Sequence, residues 1–259
     1  MATTTTAGIA PNVSDGLLDG LSARVPVPHG RSRISVVSPF TESEIGQVPR
    51  AEAEDVHAAV GRAQTAQLGW ARTPIRDRAR VLSRFHDLLI DRADSAIDIV
   101  QLEGGKARIP SFEEVFDTIA ATRYYLSTGP GLLRRRRRSV SFPLLTIAYE
   151  YRHPVGVVGS ISPWNFPFTL AISDIIPALL AGNAVVAKPD EKTPFSALYG
   201  ASLLGEAGLP DGVLQVLTGP GAEIGPPLID SVDFVMFTGS TEVGRQVASR
   251  ASDRLIGSS

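Results

Sequence analysis

Alternating apolar and helical segments in the second half of the chain limit the fold more strongly than any other feature of the sequence. Short apolar runs bounded by Gly and Pro predict strands that are buried on both faces, at residues 155–161, 184–187, 213–217 and 233–237. Longer segments between and after them predict helices, at residues 168–181, 193–207, 222–229 and 241–252. This alternation favours parallel strands joined by right-handed crossovers. The predicted fold class is therefore α/β, with a doubly wound, Rossmann-like parallel sheet.

The first half of the chain has a different character. Residues 1–30 are rich in Thr, Gly and Pro, and we expect them to form a loosely held N-terminal arm. Residues 31–133 are expected to form a helical support region that begins with a small strand pair at 34–37 and 44–48. Apolar side chains at helical spacing predict its helices, including 97–102 and 112–126. The dinucleotide-binding α/β region is expected to occupy residues 153–259.

Five consecutive arginines at residues 134–138 form the main charge run of the chain. As a nucleic-acid contact, such a run would act by releasing counterions from phosphates. The run is short, has no interleaved aromatic residues and lies in a chain of net charge −2. We therefore expect a solvated loop, and nucleic acid is not an expected partner. Residues 139–151 alternate loosely, which predicts one or two strands.

Composition argues against several other classes of function. A net charge of −2 and a pI near 6.1 give no overall attraction to nucleic acid or to a membrane surface. The sequence has no cysteine, so the chain itself offers no disulfide, no cysteine metal ligand and no thiol nucleophile. Its four histidines are scattered singly and predict no metal site. A signal-peptide pattern and a membrane-spanning stretch are both lacking, so we expect a cytoplasmic protein.

Polar side chains follow two of the predicted strands at the points where those strands end. Asn165 comes shortly after one strand, and Lys188 with Glu191 follows the next. In open α/β sheets, ligands bind just outside the carboxyl ends of the strands. A lysine that ends a buried strand favours an anionic or hydroxyl partner, although Lys188 and Glu191 could instead be exposed residues of a turn. Asn165 could likewise serve only its own loop, through an Asx turn.

The segment from Phe237 to Gly244 predicts a strand end, a tight turn and a helix that begins near Thr241. Free N–H groups and the dipole at such a helix start favour an anion such as pyrophosphate. The spacing does not match the Gly-x-Gly-x-x-Gly fingerprint, so a simple capped turn is an equal alternative. Elsewhere, Thr193 is expected to cap the helix that begins at Pro194.

Three motifs together resemble the aldehyde dehydrogenase superfamily. In chain order they are Pro-Trp-Asn-Phe-Pro at 163–167, Ala-Gly-Asn-Ala-Val-Val-Ala-Lys-Pro at 181–189 and Phe-Thr-Gly-Ser-Thr-Glu-Val-Gly at 237–244. The resemblance extends from about residue 38 to residue 259. Within the family the chain is most similar to succinate-semialdehyde dehydrogenases, through Arg123-Tyr124-Tyr125 and the Lys-Pro-Asp-Glu sequence at 188–191.

The resemblance implies a cofactor site for NAD, with NADP less favoured. In the family, the residues that match Lys188 and Glu191 hold the adenosine ribose hydroxyls, and a carboxylate there repels a 2′-phosphate. The residue that matches Asn165 donates to the oxyanion formed during aldehyde oxidation. Other positions that match the family's cofactor-binding pattern are Ile161, Ser162, Pro163, Trp164, Gly221, Gly225, Phe237, Thr238, Gly239, Ser240 and Val243.

The resemblance also implies what is missing from this chain. In the family, a cysteine attacks the small-molecule aldehyde, hydride passes to NAD, and a glutamate in a Leu-Glu-Leu-Gly-Gly-Lys motif activates water; that motif would begin just after Ser259. We therefore expect the N-terminal portion of an NAD(P)-dependent aldehyde dehydrogenase, truncated before the catalytic domain and inactive alone. The alternative is a stand-alone nucleotide-binding or subunit-interaction module. Residues 134–152 match a hairpin that the family uses in subunit assembly, which implies a homo-oligomer.

Overall fold

A computed structural model describes residues 10–142 and 145–259. The helices are α1 (Asp15–Ser22), α2 (Ala53–Arg72), α3 (Ile75–Asp91), α4 (Ala93–Gly104), α5 (Arg108–Leu133), α6 (Thr169–Ile172), α7 (Ile175–Ala181), α8 (Pro194–Glu206), α9 (Gly221–Ser231) and α10 (Thr241–Asp253). The strands are β1 (Arg33–Val37), β2 (Glu44–Pro49), β3 (Arg136–Arg138), β4 (Ala148–Glu150), β5 (Val157–Ile161), β6 (Ala184–Lys188), β7 (Leu214–Val216), β8 (Phe234–Phe237) and β9 (Gly257–Ser258). The early strand pair and the four strands expected in the α/β region are confirmed.

The principal sheet has five parallel strands in the order β7-β6-β5-β8-β9. In chain order the strands run outward from β5 to β7, and the chain then returns to the other side of β5 to add β8 and β9. This reversal is the switch point of a doubly wound sheet, and it lies between β5 and β8. The predicted fold class is confirmed. The sequence pattern did not predict β9, because two residues are too few to form a pattern.

Side chains of the central strands point alternately into two helical layers. Val158 and Val185 belong to a core formed with α3, α4 and α6 to α8. Val157 and Val186, their neighbours in sequence, belong to a second core formed with α2 and α9. Because both faces of the sheet are covered, the strands must be apolar on both sides. This arrangement explains why the sequence shows continuous apolar runs and no alternation.

Helix α2 packs directly on the sheet, although its residues were expected to belong to a separate support region. Its buried side chains Val56, Ala59, Val60 and Ala63 share the second core with Val157 and Val186. Helices α3 and α4 contribute in the same way to the first core. The helical region and the sheet are therefore packed through common cores, and the domain boundaries expected at residues 30, 133 and 152 stay predictions.

The expectation of a loosely held arm is wrong for the described part of residues 1–30. Ser14 caps α1, since its Oγ accepts a hydrogen bond from Leu17 N at 3.2 Å. Leu18 and Leu21 are buried in the first core. Asn12 donates from its backbone N and from Nδ2 to Asp98, at 2.9 and 2.8 Å. Apolar residues at helical spacing thus outweigh the Thr, Gly and Pro content; residues 1–9 lie outside the described part.

The single helix expected at residues 168–181 is divided into α6 and α7. Pro177 lies in the first turn of α7 and has no N–H to donate to the carbonyl of Ser173, four residues earlier. The proline ring also crowds that carbonyl, so the helix cannot continue through Ser173 and Asp174. Gly182 ends α7 in the left-handed conformation, at φ 95°, as its position after the apolar segment predicts.

The arginine run does not form the expected loop. Strand β3 lies within it and pairs antiparallel with β4, and all three of its side chains are exposed. Glu150 forms an ion pair with Arg138 across the strands, and Arg135 lies over the ring of Tyr149, 4.9 Å from its centroid. Opposite charges on facing strands stabilise a pair of this kind. Residues 143–144 of the expected hairpin lie outside the described part.

Candidate functional site

The carboxyl ends of three parallel strands lie level with one another. Ile161, the last residue of β5, pairs with Lys188 of β6 on one side and with Phe237 of β8 on the other. Ser162 N donates to Lys188 O at 3.2 Å, and Thr238 N donates to Ile161 O at 3.0 Å. Residues far apart in sequence therefore meet at one edge of the sheet, at its switch point.

Lys188, Glu191 and Gly221 come together at this edge. Lys188 is only 4% exposed, and its Nζ donates to Glu191 Oε2 at 3.4 Å. Among the described residues, this is the one hydrogen bond of that ammonium group. A Cβ built on Gly221, the first residue of α9, would lie 3.4 Å from Nζ, so the glycine leaves space in front of the ammonium. The burial of Lys188 excludes the alternative in which it is an exposed turn residue.

The turn between β8 and α10 is closely packed around Phe237. A Cβ built on Gly239 would lie 2.5 Å from the Phe237 ring, so a larger residue fits only if the ring moves. Ser240 caps α10, since its Oγ accepts from Val243 N at 3.3 Å. Earlier amides of the first turn have no partner within the helix. The capped turn is therefore present, and it leaves N–H groups that can donate to an anion.

The loop after β5 presents an aromatic ring on each side of Asn165. Trp164 is 51% exposed, and Lys192 Nζ lies 5.7 Å from its ring centroid. Phe166 is also exposed, and Lys106 Nζ lies 3.9 Å from its ring centroid. Asn165 is exposed, and within the described residues its side chain makes no hydrogen bond. An Asx turn therefore does not occupy this amide, and the amide can donate to a ligand.

A buried glutamate of α5 holds the segment that follows this loop. Glu114 Oε1 accepts hydrogen bonds from Phe168 N at 2.6 Å and Thr169 N at 3.3 Å. Its other oxygen, Oε2, forms an ion pair with Lys106. Glu114 was not among the predicted site residues, although a glutamate on a helix that must bury one face is a signal that could have identified it. Its role is to satisfy amides that have no partner at the start of α6.

A second buried glutamate does the same for the segment that follows β6. Glu103 of α4 accepts from Phe195 N at 2.8 Å and from Ser196 N at 2.6 Å, in the first turn of α8. The expectation that the Thr193 side chain caps this helix is wrong: its hydroxyl makes no capping bond and has no partner among the described residues. The carboxyl group of Glu103, from another helix, accepts hydrogen bonds from these amides in its place, which local sequence cannot reveal.

Burial shifts the acidity of two carboxyl groups near these loops. Burial raises the pKa of Glu103 from an ordinary value of 4.5 to about 8. Hydrogen bonds from Ser196 and Phe195 act in the opposite direction, and the charge of Glu114 adds to the rise. Burial also raises the pKa of Asp174, and the negative charge of Asp117 adds to that shift. Both carboxyls thus lose their protons less readily than in water.

Hydrogen bonds, strand pairing and close packing join most of the predicted site residues in small groups along one edge. Those residues are Ile161, Ser162, Lys188, Glu191, Gly221, Phe237, Thr238, Gly239, Ser240 and Val243. The loop with Pro163, Trp164 and Asn165 continues from this edge without a direct hydrogen bond to the others. Gly225 lies one turn further along α9 than Gly221, and a Cβ built there meets no atom within 4 Å. Local space does not explain why Gly225 is a glycine.

Residues 10–142 and 145–259 offer neither a candidate metal site nor a candidate membrane span. This part of the chain holds no group of three or more His, Asp or Glu side chains that could bind a metal ion. None of its helices has both the length and the apolar character needed to cross a membrane.

Fold and site together define a doubly wound α/β protein whose polar groups gather at the switch point of its sheet, where proteins of this class bind their ligands. The chain belongs to the aldehyde dehydrogenase family, because the sequence profile described as "Aldehyde dehydrogenase family" matches residues 27–258. The resemblance seen in the three sequence motifs is therefore confirmed.

Two relatives illustrate the similarity. A protein of Mycolicibacterium smegmatis, named as a succinate-semialdehyde dehydrogenase (NADP+), is 46% identical over 218 residues, which cover 84% of this chain and 42% of the relative. Betaine aldehyde dehydrogenase 1 of Oryza sativa subsp. japonica is 36% identical over 228 residues, or 85% of this chain and 45% of the relative. The chain thus spans less than half the length of these relatives.

Solved structures share the fold over nearly the whole chain. An NAD-dependent benzaldehyde dehydrogenase from Corynebacterium glutamicum superposes with a TM-score of 0.82 at 33% identity, over 89% of this chain and 51% of that one. A betaine aldehyde dehydrogenase from Staphylococcus aureus, in complex with NAD+, gives a TM-score of 0.85 at 26% identity, over 94% of this chain and 50% of that one. The sheet and helices described above therefore match about half of an aldehyde dehydrogenase subunit.

Proposed function

We propose that this chain forms the cofactor-binding part of an NAD(P)-dependent aldehyde dehydrogenase, which oxidises an aldehyde to a carboxylic acid. The observation that carries the proposal is the buried ammonium of Lys188, beside Glu191 and in front of the space left by Gly221. An ammonium removed from water needs anionic or hydroxyl partners, and a 3.4 Å contact with Glu191 is a weak one. Ribose hydroxyls of a dinucleotide supply such partners.

The β8–α10 turn fits the pyrophosphate of the same cofactor. Free amides at the start of α10 can donate to phosphate oxygens, and the helix dipole favours negative charge there. Gly239 keeps the backbone accessible, since a side chain there would collide with the Phe237 ring. When bound, NAD(P) accepts the hydride of the aldehyde; the chain's own residues hold and orient it. Ile161, Ser162, Pro163 and Trp164 would then lie along the nicotinamide side.

Asn165 is the proposed catalytic residue within this chain. Aldehyde oxidation develops negative charge on the aldehyde oxygen, and a side-chain amide that is already in position stabilises that charge. The exposed Asn165 amide, without a hydrogen bond of its own within the described residues, fits such a donor. Removal of one oxyanion donor typically lowers kcat by about a hundredfold or more.

We propose NAD as the preferred cofactor. The carboxylate of Glu191 accepts from a ribose 2′-OH and repels a 2′-phosphate. Several relatives are named for NADP+, including the M. smegmatis protein, whereas two structural relatives are named as NAD-dependent or contain NAD+. Because the names differ, the preference rests on the Glu191 side chain next to Lys188.

For the complete enzyme we propose succinate semialdehyde as the substrate. The support is the naming of the relatives that are 44 to 46% identical, together with the motifs noted in the sequence. We also propose that the β3–β4 hairpin contacts a second copy of the chain. Its support is the set of exposed apolar and aromatic side chains on or beside the hairpin, Phe142, Ile147, Tyr149 and Tyr151.

The proposal is tested by calorimetric titration of the chain with NAD and with NADP. We expect wild type to bind NAD more tightly than NADP. Glu191→Ala should weaken NAD binding about tenfold or more, because a hydrogen bond to a charged group contributes roughly 1.5–3 kcal/mol. The same variant should bind NADP no worse than wild type, since the repulsion of the 2′-phosphate is removed.

Glu206→Ala is the matched control. Glu206 is an exposed glutamate on the last turn of α8, where it pairs with Arg92, and it lies away from the carboxyl edge of the sheet. NAD affinity should be unchanged by this substitution. Equal effects of the two substitutions, or NAD binding that does not respond to Glu191→Ala, would reject the ribose assignment.

A further inference from the structure

We propose that Lys106 and Glu114 act together as positioning residues for the loop that carries Asn165. The inference deepens the proposed function, since it rests on the role given there to Asn165. The two residues come from the segment between α4 and α5 and from α5 itself, and they lie outside the motifs that led to the family. Together they hold the residues directly after Asn165 at three points.

Glu114 provides two of these points. Its Oε1 accepts from the backbone N–H groups of Phe168 and Thr169, at 2.6 and 3.3 Å. The Glu114 side chain is fully buried, so the bond to Phe168 N does not compete with water. These two amides belong to the third and fourth residues after Asn165. Their position fixes the point at which the loop ends and α6 begins.

Lys106 provides the third point. Its Nζ forms an ion pair with Glu114 Oε2 and at the same time lies 3.9 Å from the ring centroid of Phe166. A cation over an aromatic face attracts the ring and restricts its orientation. Phe166 is the residue next to Asn165, so a restricted ring also restricts the backbone that carries the Asn165 amide.

The ion pair ties the two contacts to each other. Lys106 is 16% exposed and Glu114 has no exposed side-chain surface, so both charges are largely removed from water and each depends on the other. Without the ammonium, Glu114 would be a buried charge with backbone donors alone. Without the carboxylate, the ammonium would be drawn toward solvent and away from the ring. A buried charged pair of this kind favours one loop geometry over others.

Thr169 offers an independent attachment that helps to separate the roles. Its Oγ1 donates to Asp117 Oδ2 at 2.7 Å, so the start of α6 stays connected to α5 when Lys106 is changed. A change at Lys106 should therefore act on the loop around Phe166 more than on the helix. This separation allows positioning to be distinguished from general stability.

Fluorine NMR of the full chain labelled with 5-fluorotryptophan tests the inference. The chain has two tryptophans: Trp164 lies next to Asn165, and the buried Trp70 donates to Leu179 O at 2.8 Å, away from the loop. The Trp164 resonance is assigned with Trp164→Phe. Lys106→Met should shift and broaden the Trp164 resonance, leave the Trp70 resonance in place, and so report a loosened loop in a folded chain.

Lys106→Arg is the conservative variant, because a guanidinium can still pair with Glu114 and stack on Phe166. It should restore the wild-type Trp164 resonance. Phe166→Leu is a second test that leaves the ion pair intact. Phe166 is about half exposed, so we expect this variant to fold even if Lys106→Met does not. It should alter the Trp164 resonance in the same direction as Lys106→Met.

An unchanged Trp164 resonance in Lys106→Met or in Phe166→Leu would overturn the inference, as would equal shifts of both tryptophans. NAD titration of the same samples keeps the two proposals apart. If wild type does not bind NAD, that result would count against the proposed function alone. A Trp164 resonance that is unchanged in Lys106→Met would count against the positioning role alone.

Discussion

The loops after β5 and β6 are built in the same way but are held differently. Each is followed by a helix whose first amides donate to a buried glutamate from the preceding helical region, Glu114 in one case and Glu103 in the other. Glu114 has the ammonium of Lys106 as its counter-ion. Glu103 accepts from backbone amides of α8, and burial raises its pKa to about 8.

The two lysines next to these loops differ in the same sense as the glutamates. Lys106 has a close carboxylate and an aromatic ring as partners, whereas Lys188 is more deeply buried and has a single 3.4 Å contact with Glu191. Desolvation of a charge without good partners is unfavourable. We therefore interpret Lys106 as a residue whose partners lie within the chain, where it holds the loop that carries Asn165, and Lys188 as one whose missing partners come from a ligand.

The largest effect expected from this comparison belongs to Glu114→Ala. The substitution leaves Lys106 without a counter-ion and the amides of Phe168 and Thr169 without an acceptor. Breaking a buried pair in this way typically costs about 3–5 kcal/mol. Urea unfolding should show that loss in the free energy of unfolding, and a loss below about 1 kcal/mol would mean that the pair is not essential to the fold.

The next largest effect is a dependence of the free energy of unfolding on pH, which arises from the titration of Glu103. Because its folded-state pKa lies above its unfolded value of 4.5, its contribution to stability is fully present below about pH 4.5 and is lost as the pH rises through about 8. Wild type should therefore lose part of its unfolding free energy between about pH 5 and pH 8, and Glu103→Gln should flatten that slope.

Urea unfolding at a series of pH values measures both slopes. Glu206→Gln is the control, since the hydrogen bond from Arg92 lowers the pKa of Glu206 and places its titration below this pH window. A Glu103→Gln chain that keeps the wild-type slope would show that another group titrates in the window and would remove this difference between the two glutamates.

A smaller effect, of opposite sign, is expected for Lys188→Met. Glu191 is 38% exposed and becomes solvated when its partner is lost, while the buried ammonium is replaced by an apolar chain of similar length. The chain should be unchanged in stability or more stable by about 1 kcal/mol. NAD affinity should fall at least tenfold in calorimetry. A clear destabilisation would show that Lys188, like Lys106, has sufficient partners within the chain, and it would end the contrast.

The smallest effect concerns Lys192, which lies on the loop after β6 but over the Trp164 ring of the loop after β5. Lys192→Met should change stability by about 0.5 kcal/mol, the scale of an exposed cation–π contact. The fluorescence of Trp164 should still differ from that of wild type, because the substitution removes the cation from the face of its ring. Unchanged Trp164 fluorescence would indicate that the loops after β5 and β6 do not interact through Lys192.

Much of the fold could be predicted because continuous apolar runs, as at Val185 and Val186, have few structural solutions when both faces of a strand are covered. The edge that gathers Lys188 and Phe237 follows from the parallel order of those strands. Features that depend on contacts between distant segments could not be read in this way. Glu103 and Glu114 serve helices more than 50 residues away, and no local pattern encodes such a partner.

Errors in the sequence-based expectations have physical causes of the same kind. The split at Ser173 follows from Pro177, whose missing N–H is not visible in a pattern of apolar residues. The arginine run forms β3 because Glu150, twelve residues after Arg138, provides a facing charge. Cofactor preference and substrate stay proposals, because they depend on side-chain geometry around a bound ligand and not on the pattern of buried residues.

Lys188, Ile161 and Phe237 are paired side by side at the ends of their strands, and this alignment limits how the lengths of the strands can change in evolution. One residue inserted within β6 would move Lys188 about 3.3 Å along the strand and turn its side chain to the opposite face of the sheet. A change in strand length therefore alters the position and the direction of Lys188 in a single step. New recognition properties can therefore arise by substitution or insertion after the strand ends, while the lengths of the strands themselves stay fixed.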